Sequence, residues 1–294
     1  MVNDLNKLET PIVSVLMTSF NREDFIAEAI ESVLASTFTD FELIICDDGS
    51  TDTTVSIANK YATLDKRVKV FVNEKNLGQF QNRNKVAEYA TGKYLKYLDS
   101  DDKILDFGLA YCVESMEQFP DAGMAMYDIS QPELKSIYCT PVIETVHHHF
   151  FLKEQLSVGP TGTIIHRKKF LELGGFDPRF GVPSDMFFNI RFAASFPVVF
   201  LPQMFVYYRR HDGQEINNRM DYLKFGYLYL KELLLNVKLP LQKSEIKYLY
   251  GKMQKRHTVN VLKYLRQTKS LKDTYRLLKD TNYSFFEMVT SVFK

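Results

Sequence analysis

Two clusters of carboxylates stand out in this sequence, Asp47-Asp48 and Asp99-Ser100-Asp101-Asp102, each directly after an apolar run. Like charges this close raise each other's pKa unless a cation or a hydrogen-bond donor pairs with them. Grouped carboxylates offer hard oxygen ligands to a divalent cation, which can in turn hold phosphate, so the suggested chemistry is metal-bridged binding of a small anionic ligand. Either cluster alone has a plain structural explanation, because Asp, Ser and Gly are ordinary turn formers. A third acid, Asp185, follows Gly181-Val182-Pro183-Ser184 and opens a helical stretch running toward Ser195. There it is a proton acceptor or simply a first-turn acid. His211 follows Arg209-Arg210 in a polar segment. The triplet His147-His148-His149 is read as loop or surface, since adjacent side chains alternate on a strand and diverge by about 100° on a helix.

Hydrophobic periodicity supplies the elements that would position these acids. The run from Ile12 to Met17 reads as a strand that breaks at Thr18-Ser19-Phe20-Asn21-Arg22, after which Phe25, Ile26, Ala29, Ile30, Val33 and Leu34 recur at helical spacing. The unit repeats. Phe41 to Cys46 is a second strand, broken by Asp47-Asp48-Gly49-Ser50-Thr51-Asp52 before a helix to Tyr61. Val68 to Val72 is a third, leading through Asn73 to Gly78 into a helix ending near Ala90, and Tyr94 to Leu98 is a fourth, ending at Asp99. Alternating strands and helices imply an α/β fold with a mostly parallel central sheet and helices on both faces. Ligands of such sheets bind beyond the carboxyl ends of the strands, where both acid clusters would meet.

The chain has 294 residues, 45% hydrophobic and 25% charged, enough for one large domain and an appendage. No segment reaches the roughly 18 apolar residues of a membrane span, and Cys46, Cys112 and Cys139 suit neither a disulfide framework nor a thiolate zinc site, so a cytoplasmic protein is expected. The net charge of +1 conceals an asymmetry: residues 1–220 hold 22 Lys+Arg against 30 Asp+Glu, residues 221–294 hold 15 against 6. An acidic main body is a poor nucleic-acid binder. G-x-G-x-x-G after the first strand and G-x-x-x-x-G-K-[ST] are both missing, which weakens dinucleotide and P-loop chemistry.

The ordered series Val13-Ser14-Val15-Leu16-Met17-Thr18-Ser19-Phe20-Asn21-Arg22, Asp47-Asp48-Gly49-Ser50-Thr51-Asp52, Asn76-Leu77-Gly78 with Arg83-Asn84, Asp99-Ser100-Asp101-Asp102, Gly174-Gly175-Phe176-Asp177, Asp185 and Tyr208-Arg209-Arg210-His211 resembles the family 2 glycosyltransferases of the GT-A fold. The resemblance covers roughly residues 11 to 212. It implies a catalytic domain over 1–218, with a nucleotide-sugar half about 11–128 and an acceptor half about 129–218. Thr18, Phe20 and Asp48 would hold base and ribose, with Asn21 and Asp47 in the same donor group and Arg83 approaching the donor. Asp99-Ser100-Asp101 matches the D-x-D motif, and Asp101, Asp102 and His211 would form the site for Mg²⁺ or Mn²⁺, the directly bound acid being left open. Asp185 would be the general base of a single inverting displacement, and Thr161, Gly162 and Ser184 would lie on the acceptor side. Many relatives carry Glu-Asp where this chain has Ser184-Asp185.

The implied function is transfer of a sugar from a nucleotide-diphosphate donor, a UDP-sugar first, to a hydroxyl of a saccharide or lipid-linked saccharide in cell-surface polysaccharide or glycolipid synthesis. The alternatives are a sugar nucleotidyltransferase and a catalytically silent sugar-nucleotide-binding protein. Beyond residue 218 the pattern turns to a basic helical extension, 219–294, with helices about Ser244 to Leu265 and Leu271 to Lys279. That extension either packs as a solvated bundle or touches the inner face of the cell membrane.

Overall fold

The computed structural model describes residues 10–128, 136–210 and 219–292. In chain order the elements begin β1 (Val13–Ser19), α1 (Ile26–Leu34), β2 (Phe41–Asp47), α2 (Thr54–Leu64), β3 (Val68–Val72), α3 (Gln79–Glu88), β4 (Tyr94–Asp99), β5 (Lys103–Ile104), α4 (Gly108–Glu117), β6 (Met124–Tyr127) and β7 (Tyr138–Thr140). They continue with α5 (Val142–Phe151), β8 (Thr163–His166), α6 (Arg167–Leu173), α7 (Ser184–Ala193), β9 (Val198–Leu201), β10 (Val206–Tyr207), α8 (Arg219–Asn236), α9 (Lys243–Thr268), α10 (Leu271–Asp280) and α11 (Phe285–Val292).

The chain gathers into two units. The first holds residues up to Thr140, Val158–Phe176 and Phe196–Arg209; the second holds Pro141–Ser157, Asp177–Ser195 and Arg210 onward. All ten strands of the described residues lie in the first. Eight form one sheet in the order β3-β2-β1-β4-β8-β6-β9-β7, and β5 and β10 pair separately. β1 runs parallel to both β2 and β4, the central position of an α/β sheet. Every residue of β2 and all but Thr18 of β1 are buried, as expected for strands covered on both faces. Beyond β4 the sheet is mixed: β8 is antiparallel to β4 and β6. α1 turns Ile26, Ala29, Ile30 and Val33 inward, the stripe that the sequence spacing predicts.

The second unit is helical. α9 opens with a capping box between Gln242 and Glu245, and α10 opens on Ser270, whose hydroxyl accepts from Asp273 N–H at 3.2 Å. α11 has no counterpart in the sequence reading, because Phe285, Phe286 and Val289 are exposed and blur its pattern. The histidine triplet is corrected here. It lies inside α5, and His149 is buried with Nδ1 accepting from Leu156 N–H at 3.3 Å, while His147 on another side of the helix is half exposed.

Burial pushes the imidazoles of His149 and His257 down to about 4. From the ordinary value near 6.5 down to about 4, the unfolded chain binds protons that the folded chain refuses, so stability is present at neutral pH and lost on acidification. The two rings together should make urea unfolding easier at about pH 4.5 than at pH 7, by on the order of 2–3 kcal/mol each, and His257→Phe should remove about half of that slope. A pH-independent midpoint would mean that neither ring titrates abnormally.

Candidate functional site

Strand register brings the first set of predicted residues together. Thr18 pairs with Cys46 on one side and Asp99 on the other, and Ser19 pairs with Asp47. Three strands thus end at one edge. The Asp47 carboxylate ties its own loop: Oδ1 accepts from Ser50 N–H at 2.7 Å and Gly49 N–H at 3.1 Å, and Oδ2 accepts from the hydroxyls of Ser50 at 2.6 Å and Ser19 at 2.7 Å. Gly49 has φ +83, a left-handed conformation that favours glycine. Asp48 reaches the next loop, accepting from Leu77 N–H at 2.8 Å, Gly78 N–H at 2.9 Å and the Asn73 amide at 2.9 Å. A carboxylate has about four lone-pair positions, so one on Oδ2 remains. Asn21 joins the loops after β1 and β2: its Oδ1 accepts from Thr51 N–H at 2.9 Å, and its own N–H donates to Ser50 Oγ at 2.8 Å. Phe20 is exposed beside them at 42%.

Past β4 the chain turns tightly, with Asp102 N–H donating to Asp99 O at 2.9 Å. The turn holds one oxygen each of Asp99, Asp101 and Asp102 within 4.8 Å of one another, and this is the one such group of His, Cys, Asp or Glu among the described residues. Basic groups offset part of the charge. Arg83 Nη1 lies 2.7 Å from Asp99 Oδ1, and Arg22 Nε lies 3.2 Å from Asp101 Oδ2. Pairing of β5 with β10 brings Arg209 to the same turn, where its N–H donates to Asp102 Oδ1 at 3.0 Å and its Nε donates to Asp101 O at 3.0 Å. Burial would raise the Asp99 pKa, but the Arg83 guanidinium overcomes it and holds the group below its ordinary value. Among the described residues Asp102 has no guanidinium partner; burial and then Asp99 push it up to about 7. Three clustered carboxylates, one of them short of positive charge, suit a divalent cation with a preference for oxygen ligands.

Beneath the turn lies Lys96, fully buried, its amine donating to Tyr97 O at 2.6 Å and Thr161 O at 2.5 Å. Burial lowers its pKa to about 8. Thr161 Oγ1 in turn accepts from Asp99 N–H at 3.2 Å, so Thr161 and its neighbour Gly162 are packed against β4 in the first unit. Sequence reasoning missed Lys96 and Arg22 as site residues. For Lys96 the signal was available: a lysine in the middle of an otherwise apolar strand.

Asp185 stands in the first turn of α7, in the second unit, half-buried, with Oδ1 accepting from Met186 N–H at 2.7 Å. Ser184 is buried, and its hydroxyl donates to Gly181 O at 2.7 Å. His211 falls outside the described residues.

Residues 14–174 match the family model for glycosyl transferase family 2. The chain belongs to that family. It is 40% identical over 91 residues, 31% of this chain and 35% of the relative, to WfgD from Escherichia coli, a UDP-Glc:α-D-GlcNAc-diphosphoundecaprenol β-1,3-glucosyltransferase. Matches to the first curated relatives span 28% to 56% of their own length. Among solved structures, Staphylococcus aureus TarS in complex with UDP-GlcNAc superposes with a TM-score of 0.74 at 18% identity, covering 95% of this chain and 81% of TarS. A Pyrobaculum calidifontis mannosyltransferase, solved with GDP-Man and Mn²⁺, gives 0.66 at 14% identity, covering 98% and 87%. These likenesses show the GT-A fold, and family membership disfavours the nucleotidyltransferase alternative.

The Arg83–Asp99 pair is testable by itself. Arg83 is buried and Asp99 is partly exposed, and removing one partner of the pair strands the other charge. Arg83→Leu should lower unfolding stability by about 3 kcal/mol, and adding Asp99→Asn should recover at least about 1 kcal/mol of it. Strict additivity of the two substitutions in denaturant titrations would show that the groups do not couple.

Proposed function

We propose that this chain is an inverting glycosyltransferase that moves a sugar from a nucleotide-diphosphate donor, a UDP-sugar first, to an acceptor hydroxyl in cell-surface polysaccharide or glycolipid synthesis. The observation that carries the reading is the gathering of Asp99, Asp101 and Asp102 at the carboxyl edge of a parallel sheet, in a member of glycosyl transferase family 2. The donors in the TarS and mannosyltransferase complexes support a nucleotide-sugar, and the name of WfgD supports an acceptor linked through diphosphate to a lipid. The catalytic domain is assigned to residues 1–218 and the basic extension to 219–294.

In this reading Phe20 offers its exposed ring to the base, and Thr18, Asn21, Asp47 and Asp48 shape the nucleotide subsite. Asp48 keeps one acceptor position for a base N–H while its other bonds fix the loop around it. Arg83 steers the donor and keeps Asp99 ionised. Asp101 and Asp102 would hold Mg²⁺ or Mn²⁺, with His211 as a further ligand. A bound cation there would stabilise the negative charge that collects on the departing diphosphate more than it stabilises the ground state. Asp185 accepts the acceptor hydroxyl's proton as that oxygen bonds to the anomeric carbon and the bond to the diphosphate oxygen breaks, inverting the centre. Thr161 and Gly162 act through the floor of the acid turn, and Ser184 through the loop that presents Asp185. Among the described residues no helix is long and apolar enough to cross a membrane. We assign the protein to the cytoplasmic side, reaching the membrane surface through its basic extension.

Two measurements test this. Calorimetry of UDP binding should show a requirement for Mg²⁺ or Mn²⁺ that Asp101→Ala abolishes, since the acid cluster alone repels phosphate; equal affinity with and without chelator, in both proteins, would remove the metal bridge. Asp185→Asn should keep donor affinity while transfer falls by about 10²-fold or more. Lost donor affinity with near-normal turnover at saturating donor would place Asp185 in donor binding instead.

A further inference from the structure

The second unit contains a cavity of about 360 Å³ among α5, α7, α8 and α9 that the donor chemistry does not use. It is within the size range of small-molecule sites. Its lining divides by burial: Leu234, Leu249, Met253 and His257 are buried and make the floor, whereas Lys252 and Arg256 are exposed and stand at the rim. Met186, the residue after the candidate base Asp185, belongs to the same lining.

Three independent features point to a ligand. The first is a buried polar atom: among the described residues Nε2 of His257 has no hydrogen-bond partner, although its ring stacks on Tyr227 with centroids 4.1 Å apart. Buried polar groups in native folds are paired, so one beside an open cavity calls for an occupant, water or ligand. The second is Gly226, which lines the cavity inside α8 and whose added Cβ would meet nothing within 4 Å. Glycine weakens a helix interior, and here it leaves room instead of relieving a close contact. The third is charge. α9 carries Lys247, Lys252, Lys255, Arg256, Lys263 and Arg266 on residues that face solvent, against a single acid, Glu245, in its first turn. Glu154 at the rim tempers this field, 3.9 Å from Arg256.

Leu234, Leu249 and Met253 give the floor an aliphatic stretch that a hydrocarbon chain fits better than a sugar does, and a basic rim attracts an anion. We propose that the cavity binds an anionic amphiphile, the phosphate-linked hydrocarbon that carries the acceptor saccharide, with the chain against Leu234, Leu249 and Met253 and the phosphate at Lys252 and Arg256. The inference rests on the reading of the acceptor as lipid-linked.

Calorimetry on the full chain with farnesyl phosphate, farnesol and inorganic phosphate tests it. Farnesyl phosphate should bind the wild type at least about tenfold more tightly than either of the other two. Gly226→Leu, which grows a side chain into the open space and favours the helix, should weaken farnesyl phosphate about tenfold or more with no fall in melting temperature. Lys252→Ala with Arg256→Ala should bring farnesyl phosphate down to the level of farnesol. UDP binding with Mn²⁺ should be unchanged in every variant. Unaltered binding in Gly226→Leu would locate the amphiphile elsewhere, and inorganic phosphate binding as tightly as farnesyl phosphate would leave only an anion site; either overturns the proposal. Wild type that binds farnesyl phosphate but no UDP would sink the donor reading and leave the cavity assignment standing.

Discussion

Three carboxylates held within 4.8 Å of one another cannot all remain ionised without positive charge nearby, and much of the first unit is arranged around that constraint. Arg83 arrives from α3, Arg22 from the loop after β1 and Arg209 from the end of β10, three points far apart in sequence. Their compensation is incomplete. Arg83 holds Asp99 below its ordinary value, whereas burial and then Asp99 push the Asp102 carboxyl up to about 7. The guanidinium groups lessen the negative charge of the turn, least of all at Asp102. The same reasoning explains why Lys96 lies beneath the turn with its amine on two carbonyls, supporting the floor without forming an ion pair with the acids.

The loops at this edge are tied by carboxylates of their own. Asp47 and Asp48 look alike in the sequence, yet Asp47 closes its own turn and Asp48 grips the backbone at Leu77 and Gly78. Charge-assisted bonds from backbone N–H groups are strong, so these two acids fix the walls of the edge before any ligand arrives. Prepositioned walls reduce the ordering cost that binding must overcome.

The strand ends were legible in the sequence because each buried strand is a run of apolar residues cut by turn formers, and a parallel sheet puts all those cuts on one edge. Thr18, Asp47 and Asp99 therefore emerged together from pattern alone. What pattern could not supply was pairing across long separations. The ladder between β5 and β10 spans only two residues per strand, too short to leave a periodic signal, and without it Arg209 has no visible reason to approach Asp102. The histidine triplet failed for a different reason: three polar residues in sequence suggest exposure, yet α5 sends His149 inward and His147 outward. Contacts group Thr161 and Gly162 with the sheet and Ser184 and Asp185 with the helices, a division that order along the chain does not reveal.

The charge asymmetry now has a physical reading. A donor diphosphate held through a cation requires carboxylates, so a protein segment that binds it this way can carry net negative charge and still recognise an anion. A phosphate recognised directly needs Lys or Arg, and residues 221–294 supply them in excess, 15 against 6 acids.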